Sequence, residues 1–142
     1  MSNSVTPLES DGLAESFRSQ MHLCDLLEGI ADSLPSGIDQ QQCLRIAEMI
    51  LPVIRRAHLA EEVDLFPRIL ARVQDGSAIV DQLRSEHFVD ECFAEEVQYE
   101  LLLLGRGRPV LPPDAVGYML RGFFDGLRRH CRTERELAGL SH

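Results

Sequence analysis

Histidine falls at five positions in this chain: His22, His58, His87, His130 and His142. Three of them are followed four residues later by glutamate: His58 by Glu62, His87 by Glu91 and His130 by Glu134. Glutamate fills only 13 of 142 positions, so three such pairs are not an accident of composition. On an α-helix the i, i+4 spacing puts both side chains on one face. An imidazole nitrogen and a carboxylate oxygen presented together are ligands suited to iron, manganese or zinc. On a solvated face the same pair would be worth about 0.2–0.5 kcal/mol and nothing more. The residues beside each pair decide between the two meanings.

Those neighbours are apolar. Leu51, Ile54, His58, Glu62, Leu65 and Ile69 follow one another at steps of three or four. So do Val80, Leu83, His87, Glu91 and Ala94, and again Phe123, Leu127, His130, Glu134 and Leu137. His22 lies in line with Leu26 and Ile30. Helical periodicity therefore turns four imidazoles and three carboxylates toward a core. An ionised carboxylate buried without a partner costs many kcal/mol. The chain has no lysine, and none of its 14 arginines falls on these stripes. A bound cation would offset the buried charge. Seven donors exceed the needs of one ion and suit two, with carboxylates bridging.

The elements that must carry these residues read as four long helices. The first is expected over about 8–34, with Leu23, Leu26, Leu27, Ile30 and Leu34 as its apolar stripe, and Pro35-Ser36-Gly37 breaks it. The second is expected over about 39–73, with Asp39 as N-cap and a bend near Pro52 and near Pro67. The third runs over about 77–104 after Asp75-Gly76-Ser77, and the fourth over about 114–137 after a Gly- and Pro-rich connection. No strand pattern of similar strength competes. The expected fold is all-α: a single-domain, antiparallel up-down-up-down four-helix bundle over 1–142, with 1–8 as a flexible tail. Each helix carries one histidine, and His142 falls at the chain end.

At this point the sequence resembles the hemerythrin-like (HHE cation-binding) domain family. The resemblance rests on His22, on His58-Leu59-Ala60-Glu61-Glu62, on Leu65-Phe66-Pro67, on Glu86-His87, and on His130 followed by Glu134. It covers about 17–137. It implies a four-helix bundle around two iron ions with an oxo or hydroxo bridge. In that reading Glu62 and Glu134 bridge the irons, His22 and His58 complete one, and His87 and His130 bind the other. One coordination position stays open for oxygen, peroxide or nitric oxide. Manganese or zinc could occupy the same ligands.

Two positions depart from the oxygen-carrying members. Those have a second histidine where this chain has Glu91, and an aspartate five residues after the fourth-helix histidine where this chain has Glu134 at four. The implied ligand set is then His22, His58, Glu62, His87, Glu91, His130 and Glu134. An added carboxylate favours ferric iron and argues against reversible oxygen carriage. The chain resembles the members with an H–HxxxE–HxxxE–HxxxE pattern, for which peroxide or nitric oxide chemistry is expected. Glu61 and Asp90 could orient ligand imidazoles, or simply face solvent.

Composition bounds the alternatives. Acidic residues number 23 against 14 basic ones, a net charge of −9. That excess argues against nucleic acid and anionic membrane surfaces as partners. There is no apolar run of transmembrane length and no signal-peptide pattern, so a cytoplasmic protein is expected. Cys24, Cys43, Cys92 and Cys131 form no CxxC pair and are expected as free thiols. Three functional classes stay open: an enzyme acting on peroxide or nitric oxide, a non-enzymatic sensor of oxygen, iron or redox state, and an oxygen-binding module. A homo-oligomer or a protein partner is compatible with each.

Overall fold

The computed structural model describes residues 5–139, with side chains over 12–139. The chain forms α1 (Val5–Ser33), α2 (Gln40–Ala60), a π-helical turn (Glu61–Leu65), α3 (Phe66–Arg72), α4 (Gly76–Gly105) and α5 (Pro113–Ala138). No strand occurs among the described residues. Residues 1–4 of the expected tail and His142 lie outside them, whereas 5–8 belong to α1. α1 packs on α5 and on α2, α2 packs on α4, and α3 packs on α4. α4 also packs on α5, so each long helix buries a face against at least two neighbours. Leu23, Leu27, Ile50, Ile54, Leu65, Phe66, Leu101, Leu120 and Phe124 fill the middle.

The boundaries follow from local chemistry. Asp39 caps α2, its carboxylate accepting the Gln42 N–H at 3.1 Å. Gly139, at φ 75°, ends α5 in the left-handed conformation that a side chain disfavours. α2 runs through Pro52 without interruption. Pro52 is exposed, so the carbonyl it leaves unpaired can face water.

Pro67 acts differently. In a straight helix its ring would clash with the Val63 carbonyl. The chain widens instead into the π turn, where the Phe66 N–H bonds to the Glu61 carbonyl, five residues back. The extra residue shifts the helix phase by about 100°. The buried positions up to and through the turn run Ile50, Ile54, Ala57, Glu61, Leu65. Glu61 is fully buried and Glu62 faces outward. The inward facing expected for Glu62 is therefore corrected to Glu61.

The first helix also differs in phase. Its buried residues include Leu13, Phe17, Gln20, Cys24, Leu27 and Ala31, together with Leu23 and Ile30 of the expected stripe. His22 sits two positions, about 200°, from Gln20 and is exposed. The inward facing expected for His22 is corrected to Gln20. Leu26 and Leu34 only lean on the core from its edge.

Gly76 opens α4 against α3. A Cβ there would lie 2.6 Å from the Ile69 carbonyl oxygen, a backbone atom. Gly76→Ala should therefore destabilise the chain by about 1–3 kcal/mol through overpacking. A lower urea midpoint at unchanged slope is the expected result.

Candidate metal centre

Three helical segments deliver one charged side chain each to the same buried point. The π turn supplies Glu61, α4 supplies His87 and α5 supplies Glu134. Their ligand atoms all lie within 4.8 Å of one another. His87 Nε2 is 2.7 Å from Glu61 Oε1 and 3.6 Å from Glu134 Oε2. Gln20, from α1, places its amide nitrogen 3.5 Å from the other Glu61 oxygen. All four residues are buried.

The two imidazoles of the first and second expected pairs meet face to face. The His58 and His87 rings stack at 3.8 Å, with 6° between their planes. Phe66 stacks near His87 at 5.4 Å. His58 Nδ1 lies 2.7 Å from Glu91 Oε2. Glu91 continues to Arg55 at 3.8 Å, and Arg55 to Glu95 at 3.4 Å. A line of polar contacts thus runs from the buried carboxylates to the surface between α2 and α4.

Protonation in the cluster is set by burial and by neighbours. Burial pushes the Glu134 carboxyl up to about 7, the His87 hydrogen bond opposing it and nearby Glu61 adding to it. Burial alone would lower His87; hydrogen bonds to Glu134 and Glu61 override it and carry the imidazole up to about 9. His58 is lowered, by burial first and by the neighbouring His87 second. His130 is raised, chiefly by its hydrogen bond to Asp90.

These residues fit a cation. Two buried carboxylates converge on one imidazole, which is a dense negative cluster for an interior. The other nitrogen of that imidazole, His87 Nδ1, is buried without a hydrogen bond among the described residues. Its nearest acidic neighbour is Glu62 Oε2, at 3.9 Å. A positive ion would replace the His87 proton and engage both carboxylates.

The seven residues expected from sequence are placed unequally. His87 and Glu134 lie in the buried group. His58 lies against it through the ring stack. Glu62 flanks His87 from a half-exposed position, and Glu91 touches the group only through His58. His130 stands at the rim, a third exposed, with Nδ1 2.9 Å from Asp90 Oδ2 and Nε2 4.0 Å from Glu86 Oε1. His22 lines a surface cleft with Arg18, Met21 and Arg135 and does not join the group.

Sequence reasoning missed Glu61 and Gln20 as interior residues. The signal for Glu61 was its place four residues after Ala57 and four before Leu65. The signal for Gln20 was the Leu13, Phe17, Cys24, Leu27 frame. Cys131 follows His130 but is buried; burial pushes its thiol far up, so it offers no thiolate.

A family model described as the hemerythrin HHE cation binding domain matches residues 16–139. Neither the curated proteins nor the solved structures contain a match.

Proposed function

From the premise that the chain belongs to the hemerythrin HHE cation-binding domain family, we propose that it is a non-haem iron protein whose centre of two irons reacts with oxygen, peroxide or nitric oxide. The observation that carries the reading is the buried Glu61–His87–Glu134 group. Binding of a cation is what the family implies, and the group has the donor chemistry for it. Iron there would supply the redox change that those small molecules require. Further donors for a second ion come from His58, Glu62 and His130, which border the group. Manganese or zinc would meet the same oxygen and nitrogen donors.

The protein's own residues have distinct parts in this reading. Glu61 and Glu134 offset the charge of the ions. His87 gives up its proton to ligate. Glu91 holds the His58 ring through Nδ1, leaving Nε2 as the nitrogen free to bind, and Asp90 does the same for His130. Glu91 thus orients a ligand here rather than replacing one. Leu65, Phe66 and Leu127 keep water from the interior side. Short connections between long helices support alternating helix directions. The absence of disulfides among the cysteines suits a reducing, cytoplasmic compartment.

Metal analysis of chain purified from iron-supplemented culture tests the reading. Close to two irons per chain are expected, and none in Glu61→Ala/Glu134→Ala. No iron, together with a melting temperature indifferent to added ferrous iron, would overturn it. Glu91→Gln should keep the stoichiometry while weakening affinity by about 10–100-fold, the usual cost of losing a ligand's orienting partner. Loss of one iron outright would instead make Glu91 a ligand.

A further inference from the structure

Between α4 and α5 lies a cleft of about 350 Å³. Ile79 and Leu83 from α4 and Leu137 from α5 give it an apolar wall. Glu86, His130 and Glu134 give it a polar end. Glu134 belongs to both places: it lines the cleft, and its Oε2 stands 3.6 Å from His87 Nε2 in the buried group. A molecule seated in the cleft would therefore touch a side chain of the candidate centre. His130 is held through Nδ1 by Asp90, which fixes its ring at the polar end of the cleft.

The dimensions and the charges narrow the occupant. A water occupies about 30 Å³ of liquid, and oxygen, hydrogen peroxide and nitric oxide are of similar size. The cleft is about ten times larger and falls within the range of small-molecule sites, which pair apolar walls with a few convergent polar groups. Two carboxyl groups at the polar end accept hydrogen bonds and repel anions. The net charge of −9 works in the same direction.

We propose that this cleft binds the organic part of the centre's substrate, a small neutral molecule whose alkyl chain ends in a hydroxyl or hydroperoxyl group. The alkyl chain lies along Ile79, Leu83 and Leu137, and the O–H donates toward Glu134 or Glu86. The assignment rests on the metal-centre reading of the adjacent group.

Calorimetric titration of the full chain with hexan-1-ol and with hexanoate at pH 7.5 tests it, with metal content measured on the same sample. Saturable binding of one hexan-1-ol per chain is expected, with hexanoate at least tenfold weaker. Ala78 and Thr133 line the exposed rim, outside the buried group. Ala78→Trp and Thr133→Trp should each weaken hexan-1-ol at least tenfold without changing metal content. No saturable binding, equal binding of hexanoate, or indifference to both rim variants would overturn the proposal. Metal present without alcohol binding defeats this proposal alone. Alcohol bound in a chain that takes up no metal defeats the metal-centre reading and leaves the cleft a binding site.

Discussion

His87→Ala will lower the stability of the metal-free chain by about 3–5 kcal/mol, the cost of breaking a buried ion pair from one side. For a chain of this length that is a fall of roughly 10–15 °C in melting temperature. The size follows from what the imidazole does. It is the shared positive partner of Glu61, at 2.7 Å, and Glu134, at 3.6 Å. Without it two carboxylates face each other in an interior that Leu65 and Phe66 close. Lost packing against the His58 ring adds to the cost. The origin of the loss is separable. Adding Glu61→Gln and Glu134→Gln to the alanine variant removes the stranded charge and should restore most of the stability. Recovery of less than a third would assign the loss to the cavity instead. The same triple variant should bind no iron, because it has lost the donors as well as the strain.

The four-helix arrangement was legible because each helix carries its own periodic stripe and each connection its own breaker. Pro35, Asp75-Gly76 and Pro112-Pro113 sit at the connections between the long helices. Asp39 could be read as a cap before any contact was known. The candidate site was legible by composition and only in part by position. His87 and Glu134 lie on helices of regular phase, so counting in threes and fours finds them. Glu61 lies where the phase slips. Its neighbour Glu62 satisfies the i, i+4 rule from His58, which is what drew the inward assignment to it. Glu61 instead continues the frame of Ile50, Ile54 and Ala57, and that is the frame the bundle buries. Periodicity offers both frames on this helix, and only packing decides between them. His22 failed for the same reason: α1 offers two overlapping apolar frames. Leu26 and Ile30 define one, while Leu13, Phe17 and Leu27 define the other. Packing against α5 and α2 buries the second together with Ile30, and leaves Leu26 at the edge and His22 exposed. Partner choice is a property of the assembled bundle, not of the helix.

The metal-free chain should lose stability as pH rises, in a range where most proteins are near their optimum. Two groups set the sign. The folded His87 has its pKa raised from 6.5 to about 9. Its contribution is fully present below the unfolded value of 6.5 and is lost as pH rises through about 9. The folded Glu134 has its pKa raised from 4.5 to about 7. A raised carboxyl behaves in the same sense: its contribution is present below 4.5 and is lost as pH rises through about 7. The folded state therefore holds more protons than the unfolded one between about pH 4.5 and 9. The contribution of these two groups should fall across that window, by up to about 1.4 kcal/mol per pH unit for each proton, opposed below pH 6.5 by His58, whose lowered pKa acts in the opposite sense. Metal reverses the dependence. Ligation needs a neutral His87 and an ionised Glu134, so a cation must displace both protons below pH 7 and one between 7 and 9. Apparent affinity for Mn²⁺, followed by the resonance of the free ion, should rise by roughly tenfold per unit from pH 7 to 9 and more steeply below 7. It should level off above about 9, where no proton is left to displace. The stability curves of loaded and metal-free chain then diverge with rising pH. Glu134→Gln removes the lower of the two transitions from the metal-free curve and moves the upper one down, because His87 loses one of the two carboxylates that raise it. An affinity flat from pH 6 to 9 would mean that the ion binds elsewhere than at the protonated cluster of Glu61, His87 and Glu134.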